Sequence, residues 1–156
     1  MKKENVKMIE ELKEMLTRHE GKFDTIYRCP AGKNTIGVGH NIDANGLPED
    51  IESYLNENGF ITVEMISTLL EMDISISADD CRLLYPEFES FSDKRQMALI
   101  DFVFNVGRTT AKSFKNTNKA INEERWDDAA NNFEKSLWYK QVGHRSKEIV
   151  EMIRNG

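Results

Sequence analysis

A chain of 156 residues, with 39% apolar and 31% charged residues, is long enough to bury one core or two small lobes that share one. Its net charge of -6 gives a nucleic-acid partner no electrostatic support, and the lack of a basic amphipathic stretch argues equally against direct membrane binding. Two cysteines, Cys29 and Cys81, without CxxC spacing, speak against a disulfide framework or a zinc site and for a reduced, cytosolic chain.

The opening MKKENVKMIEELKEML carries basic residues but no apolar h-region, so no signal peptide is expected. The longest apolar stretch, MALI-D-FVF, is interrupted by Asp101, so no transmembrane span is expected either. Val6, Ile9, Leu12 and Leu16 recur at helical spacing and predict an amphipathic helix to about Glu20, stopped by Gly21. TIYRC and NTIGVG read as short strands, Thr25 to Cys29 and Asn34 to Gly39, with PAGK supplying the turn. NIDANGLP reads as a loop. LPEDIESYLNENG reads as a short helix opened by Pro48 and closed by Gly59.

Thr62 is placed to cap a longer helix whose apolar face is Ile66, Leu69, Leu70, Ile74, Ile76 and Leu83. YPEFESFS is a break, and Ser92 caps the next helix, DKRQMALIDFVFNVG, which is nearly all apolar from Met97 to Val106 and so should be the most buried. TTAKSFKNTNKAINEE suggests two short helices, RWDDAANNFEKSLWY one more, and HRSKEIVEMI a last one. The strands are confined to the first forty residues and the rest is helical, which predicts an α+β fold rather than alternating units.

Glu20 ends a helix, where the negative end of the dipole disfavours its charged form. Partial burial would raise its pKa further and leave a proton donor near neutral pH. Most glutamates do nothing of the kind, and composition alone favours a solvated side chain in a fraying turn. Cys29 follows nine positions later, and Thr35 six after that. Adjacent antiparallel strands could put the two on one wall of a cleft. A free cysteine is otherwise most often a small buried hydrophobe, and threonine is an ordinary strand residue.

His40 reads as a structural hydrogen-bonder. Asp24 and Asp43 are alternative carboxylates in turn-prone positions. Trp126, Trp138, Tyr139, Phe102 and Phe104 could stack on a sugar, although aromatics at helical spacing are core more often. Asn105, Asn116, Asn132 and Gln141 could grip hydroxyls. P-loop, GxGxxG, GxSxG and HExxH patterns do not occur, and no metal or cofactor is expected.

These residues resemble a known family. Glu20, eight residues, Cys29, five residues, Thr35 is similar to the catalytic spacing of the phage-type lysozymes, glycoside hydrolases of the T-even phage kind. TIGVGH is similar to that family's TIGxGH signature, and NGFITVEMISTLLEMDI, ALIDFVFNVG, RWDDAANNFEKSLWYKQ and HRSKEIV resemble further blocks in the same order. The likeness runs over residues 8 to 154.

The resemblance implies one mostly helical, two-lobed lysozyme domain over residues 1–156. Its N-terminal lobe would be about 18–61, its connecting helix about 62–84, and its C-terminal lobe about 85–156 together with the N-terminal helix. It implies hydrolysis of the β-1,4 bond between N-acetylmuramic acid and N-acetylglucosamine in bacterial peptidoglycan. By the same resemblance Glu20 is the general acid, Cys29 stands where an Asp is usual, and Thr35 helps hold the attacking water. Saccharide contacts fall on Asn41, Phe104, Thr117 and Asn132. His40 and Asp73 form a structural pair, and Arg145 is the arginine near the catalytic Glu.

A neutral thiol stabilises an oxocarbenium-like transition state less well than a carboxylate, so Cys29 leaves both inversion and retention open, with water positioning favoured. The acidic surface removes the long-range attraction to an anionic wall expected of basic relatives. The last residues, EMIRNG, lack a relative's final aromatic turn. The expected role is that of an endolysin, a monomer held in the host cytoplasm until a separate holin gives it access to the wall. A wall-binding module with weakened chemistry and a transglycosylase are the competing readings.

Overall fold

A computed structural model describes residues 3–156, with side chains from residue 5 onward. The fold is α+β, a small N-terminal antiparallel sheet followed by helices. The elements run α1 (Lys3–Glu20), β1 (Phe23–Arg28), β2 (Asn34–Gly37), β3 (His40–Asn41), α2 (Ile42–Asn45), α3 (Glu49–Asn58) and α4 (Val63–Leu84). After a 3-10 turn at Phe88–Ser90 come α5 (Asp93–Val106), α6 (Arg108–Ser113), α7 (Lys115–Asn122), α8 (Trp126–Glu134), α9 (Leu137–Val142) and α10 (His144–Asn155). The chain divides inside α4 into two compact units, Met1–Asp73 and Ile74–Gly156.

In the first unit, α1 buries Met8, Leu12, Met15 and Leu16. Val6, expected on that face, is 53% exposed, so the methionines rather than Val6 complete the stripe. Lys13 ties α1 to α4, its Nζ donating to Ser67 Oγ at 2.8 Å and Glu71 Oε1 at 2.9 Å. The sheet has the order β1-β2-β3, with Tyr27 opposite Thr35, Arg28 opposite Asn34 and Ile36 opposite His40. Ile36 and Val38 carry the buried side of the hairpin, and Gly37 lies against Ile66 of α4.

NIDANGLP is not a plain loop. Its first residues form β3 and α2, because the Asn41 side chain accepts the Ala44 N–H at 3.0 Å and caps a single helical turn. Thr62 caps α4 through the Met65 N–H at 3.1 Å. Along α4, Ile66, Leu69, Leu70 and Ile74 are buried, but Ile76 is 51% and Leu83 69% exposed; Ala78 and Cys81 take the inner positions instead.

In the second unit, Ser92 caps α5 and every residue from Gln96 to Val103 is buried. Phe102 is ringed by Phe114, Phe133 and Trp138 at centroid distances of 5.0, 4.9 and 5.0 Å, all near edge-on. Polar groups in this core are matched: Trp138 Nε1 donates to Asn105 Oδ1 at 2.8 Å, and the Tyr85 hydroxyl to Asn118 Oδ1 at 2.9 Å. The stretch RWDDAANNFEKSLWY forms two helices, not one. Ser136 turns extended between α8 and α9 and accepts the Tyr139 N–H, a cap in the middle of an apolar pattern.

Candidate active site

The hairpin loop of the first unit is short. The Gly32 N–H donates to the Cys29 carbonyl at 2.8 Å and the Cys29 N–H to the Lys33 carbonyl at 3.0 Å, so Pro30, Ala31 and Gly32 form a three-residue connection. Gly32 takes the left-handed conformation that such a loop needs, with φ +79°. Cys29 is thereby held one residue past β1, half-buried rather than sunk in the core. Its thiol lies below the ordinary value, chiefly through a hydrogen bond from the Lys33 backbone; the Ala31 backbone and the Thr35 side chain act in the same direction, and desolvation opposes them. Loop backbone is thus the chief cause of the lowered thiol.

Thr35 is 3% exposed and donates its hydroxyl proton to the Lys33 carbonyl at 2.8 Å. The structure thus brings Cys29 and Thr35 into one hydrogen-bonded group. Arg28, next to Cys29 in sequence, instead acts on Asp43, whose carboxyl is lowered first of all by the Asn34 backbone N–H. Asp43 also accepts from the Asn34 amide at 3.1 Å, so it serves to fasten the start of β2 to α2. Asp24 is exposed on β1, and its carbonyl accepts the Ile61 N–H.

Glu20, the last residue of α1, is half-buried and turns toward the hairpin. A methyl group on Gly39 would lie 2.5 Å from Glu20 Oε2 and 3.0 Å from its Cδ. The second glycine of GVGH thus leaves room for the Glu20 carboxyl, at a φ of +65° that other residues rarely adopt. Tyr27 joins this group. Its phenol is raised by burial and then by the charges of Glu20 and Cys29, and it is the cross-strand partner of Thr35. The sequence offered a signal for Tyr27 that went unread, since it lies two positions before Cys29 and hence on the same face of the strand.

His40 is 2% exposed. Its Nδ1 meets Asp73 Oδ2 at 2.8 Å and its Nε2 the Gly46 carbonyl at 2.7 Å. A carbonyl can only accept, so Nε2 carries a proton, and the carboxylate holds a second on Nδ1. Burial works against the imidazolium, but the bonds to Asp73 and Gly46 and the Asp73 charge outweigh it and raise the pKa.

Asn41 is engaged through its carbonyl in capping α2. In the second unit, Phe104 is half-buried near the end of α5, while Thr117 and Asn132 line one pocket together with Asn116. Arg145 is buried and its Nε donates to Asp101 Oδ1 at 2.7 Å. Phe102 and Trp138 belong to the core, and Trp126 meets Phe91 edge-to-face and lies under the Arg95 guanidinium. Gln141 is exposed.

Comparison with known proteins gives the family. The profile of the phage lysozyme family matches residues 17–154. The chain belongs to the phage lysozyme family. Among curated relatives of this chain are two proteins of Dictyostelium discoideum, "Probable T4-type lysozyme 2" and "Probable T4-type lysozyme 1". They are 29% and 28% identical to it, with 96% of each chain covered. A third is the "Pre-baseplate central spike protein Gp5" of Enterobacteria phage T4, 29% identical over 92% of this chain but only 27% of its own length. Membership in the phage lysozyme family implies a glycoside hydrolase of the lysozyme kind.

Proposed function

We propose that this member of the phage lysozyme family is an endolysin that hydrolyses the bond from N-acetylmuramic acid to N-acetylglucosamine in bacterial peptidoglycan. The observation that carries the reading is the Glu20 carboxyl turned over Gly39, in the same unit as the hydrogen-bonded Cys29 and Thr35. Glu20 gives its proton to the departing glycosidic oxygen; a water held by Thr35 and Cys29 attacks the anomeric carbon and loses its proton to solvent, from which Glu20 is reprotonated. Thr35 has one proton. While the thiol is neutral the hydroxyl donates that proton in its hydrogen bond to the Lys33 carbonyl, and the hydroxyl oxygen is left to accept from the water. When the thiol ionises, the proton can turn to the sulfur.

The resemblance to the family gives Asn41, Phe104, Thr117 and Asn132 as the residues proposed to meet the saccharide. Among the described residues no helix is long and apolar enough to cross a membrane. The proposed role includes a monomer held in the host cytoplasm until a separate holin opens the way to the wall.

One observation favours a second reading, a wall-binding module of the same fold: a thiol stands where a carboxylate would stabilise positive charge better. Clearing of a peptidoglycan suspension decides between them. The parent chain should clear it, and Glu20→Gln should be slower by about a thousandfold, the scale of a lost general acid. Binding without clearing by the parent would leave the module reading. Product mass separates hydrolysis from transglycosylation, whose anhydro ends lack one water. The anomeric configuration of fresh products separates water attack, which inverts, from thiolate attack, which retains.

A further inference from the structure

The first strand is irregular where it passes the site. Phe23 lies opposite Gly37 and Tyr27 opposite Thr35, so four steps along β1 face two along β2, and a bulge falls between Phe23 and Tyr27. In a regular strand, residues four positions apart stand about 13 Å from one another. Here the Phe23 and Tyr27 rings meet with centroids 4.4 Å apart and planes tilted by 47°. The bulged segment is pinned as well, since the Asp24 carbonyl accepts the Ile61 N–H at 2.9 Å.

Phe23 is held at a second point. A methyl group on Gly21 would lie 2.8 Å from its Cε2, so the ring closes over the residue that follows Glu20. These contacts bring Phe23 little burial, for it remains 44% exposed. A bulge that leaves an aromatic ring half in water is a poor device for packing, but it can re-aim a neighbouring side chain. That neighbour is Tyr27, opposite Thr35 and two positions before Cys29. Burial and the charges of Glu20 and Cys29 keep its phenol protonated, and so able to donate a hydrogen bond.

We infer that Tyr27 is a positioning residue of the muramidase site, and that the β1 bulge and the Phe23 ring serve to aim it. Its hydroxyl donates a hydrogen bond to the carboxylate that Glu20 becomes on giving its proton to the glycosidic oxygen, and the phenol keeps its own proton. Phe23 acts only through Tyr27. This role rests on the muramidase reading above and adds what steadies its acid.

A double-substitution cycle tests it, with kcat and KM read on soluble, uncrosslinked glycan strands. Tyr27→Phe keeps the ring pair and should lower kcat about tenfold with KM unchanged, the scale of one hydrogen bond to a charged group. Phe23→Ala should lower kcat in the parent chain but cost nothing further in the Tyr27→Phe chain. Phe23→Tyr, which returns a ring to that position, should restore the rate. Full kcat in Tyr27→Phe overturns the inference. A raised KM at constant kcat overturns it too, giving the phenol to the saccharide. So do losses that multiply in the double chain, because Phe23 would then act on its own.

NMR signals of labelled tyrosine rings in the full chain, assigned through Tyr27→Phe, give a readout that needs no turnover. The Tyr27 signal should follow a titration in the carboxyl range, about pH 3 to 7, that Glu20→Gln abolishes and Phe23→Ala weakens. A chain that clears wall while its Tyr27 signal ignores Glu20 sinks the positioning role alone. A chain that shows the titration but clears nothing sinks the muramidase and leaves the coupling of Phe23, Tyr27 and Glu20 standing.

Discussion

The two units use their polar side chains in opposite ways. In the first, Glu20, Cys29 and Thr35 lie at a helix end and around a hairpin, where loop backbone and a glycine set their surroundings. In the second, Asp101, Arg145, Asn105 and Asn118 are joined to partners in or beside an aromatic helical core. The contrast separates two demands on a polar group. A reacting group needs a pKa and a position that backbone can tune, whereas a structural one needs a partner and exclusion of water. Disruption in the second unit should therefore appear first as lost stability, and disruption in the first as lost rate.

In stability, the largest effect is expected from Asp101→Asn. Asp101 is 0% and Arg145 8% exposed, and removing one charge of a buried pair typically costs about 3 kcal/mol or more. Denaturant unfolding should show that loss, with a lower midpoint and an unchanged slope. A midpoint equal to that of the parent would mean that the pair contributes no more than a surface contact, and the contrast between the units would fail.

Next comes Gly39→Ala, measured beside Gly37→Ala. Both glycines have φ near +65°, so both substitutions meet the same backbone strain. At Gly37 the added methyl would touch Ile66 at an ordinary 3.5 Å, but at Gly39 it would press on Glu20 Oε2 at 2.5 Å. Displacement of a catalytic group by about 1 Å can cost about a hundredfold in rate. Wall clearing should fall by about that factor for Gly39→Ala and much less for Gly37→Ala. Equal losses would trace the effect to strain and remove Glu20 from the chemistry.

Cys29→Ala should slow clearing about tenfold, and Cys29→Asp should keep or raise the parent rate, since a carboxylate can orient water and also carry negative charge. Undiminished clearing by Cys29→Ala would take the thiol out of the mechanism.

Much of the fold can be read in the chain because local rules and burial agree there. Gly21 ends α1, Thr62 and Ser92 cap their helices, and the run from Met97 to Val103 is buried because α5 fills the middle of its unit. The misreadings fall where one side chain decides. Asn41 turns a polar loop into a capped helical turn, and Ser136 splits a stretch whose periodicity is continuous. Ile76 and Leu83 lie outside because a helix as long as α4 carries more apolar residues than its inner face holds. In the site, the spacing of Glu20, Cys29 and Thr35 was legible. The pull of the Lys33 backbone on the Cys29 thiol was not, because backbone donors leave no trace in residue identity. Tyr27 required the strand register, Tyr27 opposite Thr35.

The smallest effect refines the contrast, because one structural pair of the first unit can be switched by pH and that of the second cannot. An arginine stays charged throughout the accessible range, so Arg145 supplies no such switch. His40 does. Its folded pKa lies above the unfolded value of about 6.5, so the stability it contributes is complete below that value and is lost as pH rises through the folded pKa. The parent should therefore exceed an Asp73→Asn chain in unfolding free energy by more at about pH 5.5 than at about pH 9. The difference should be about 1 kcal/mol, the scale of one hydrogen bond gained or lost. Urea unfolding of both chains at the two pH values measures it. A gap that is constant with pH would show the imidazole neutral in the folded chain, which the two acceptors facing its nitrogens contradict.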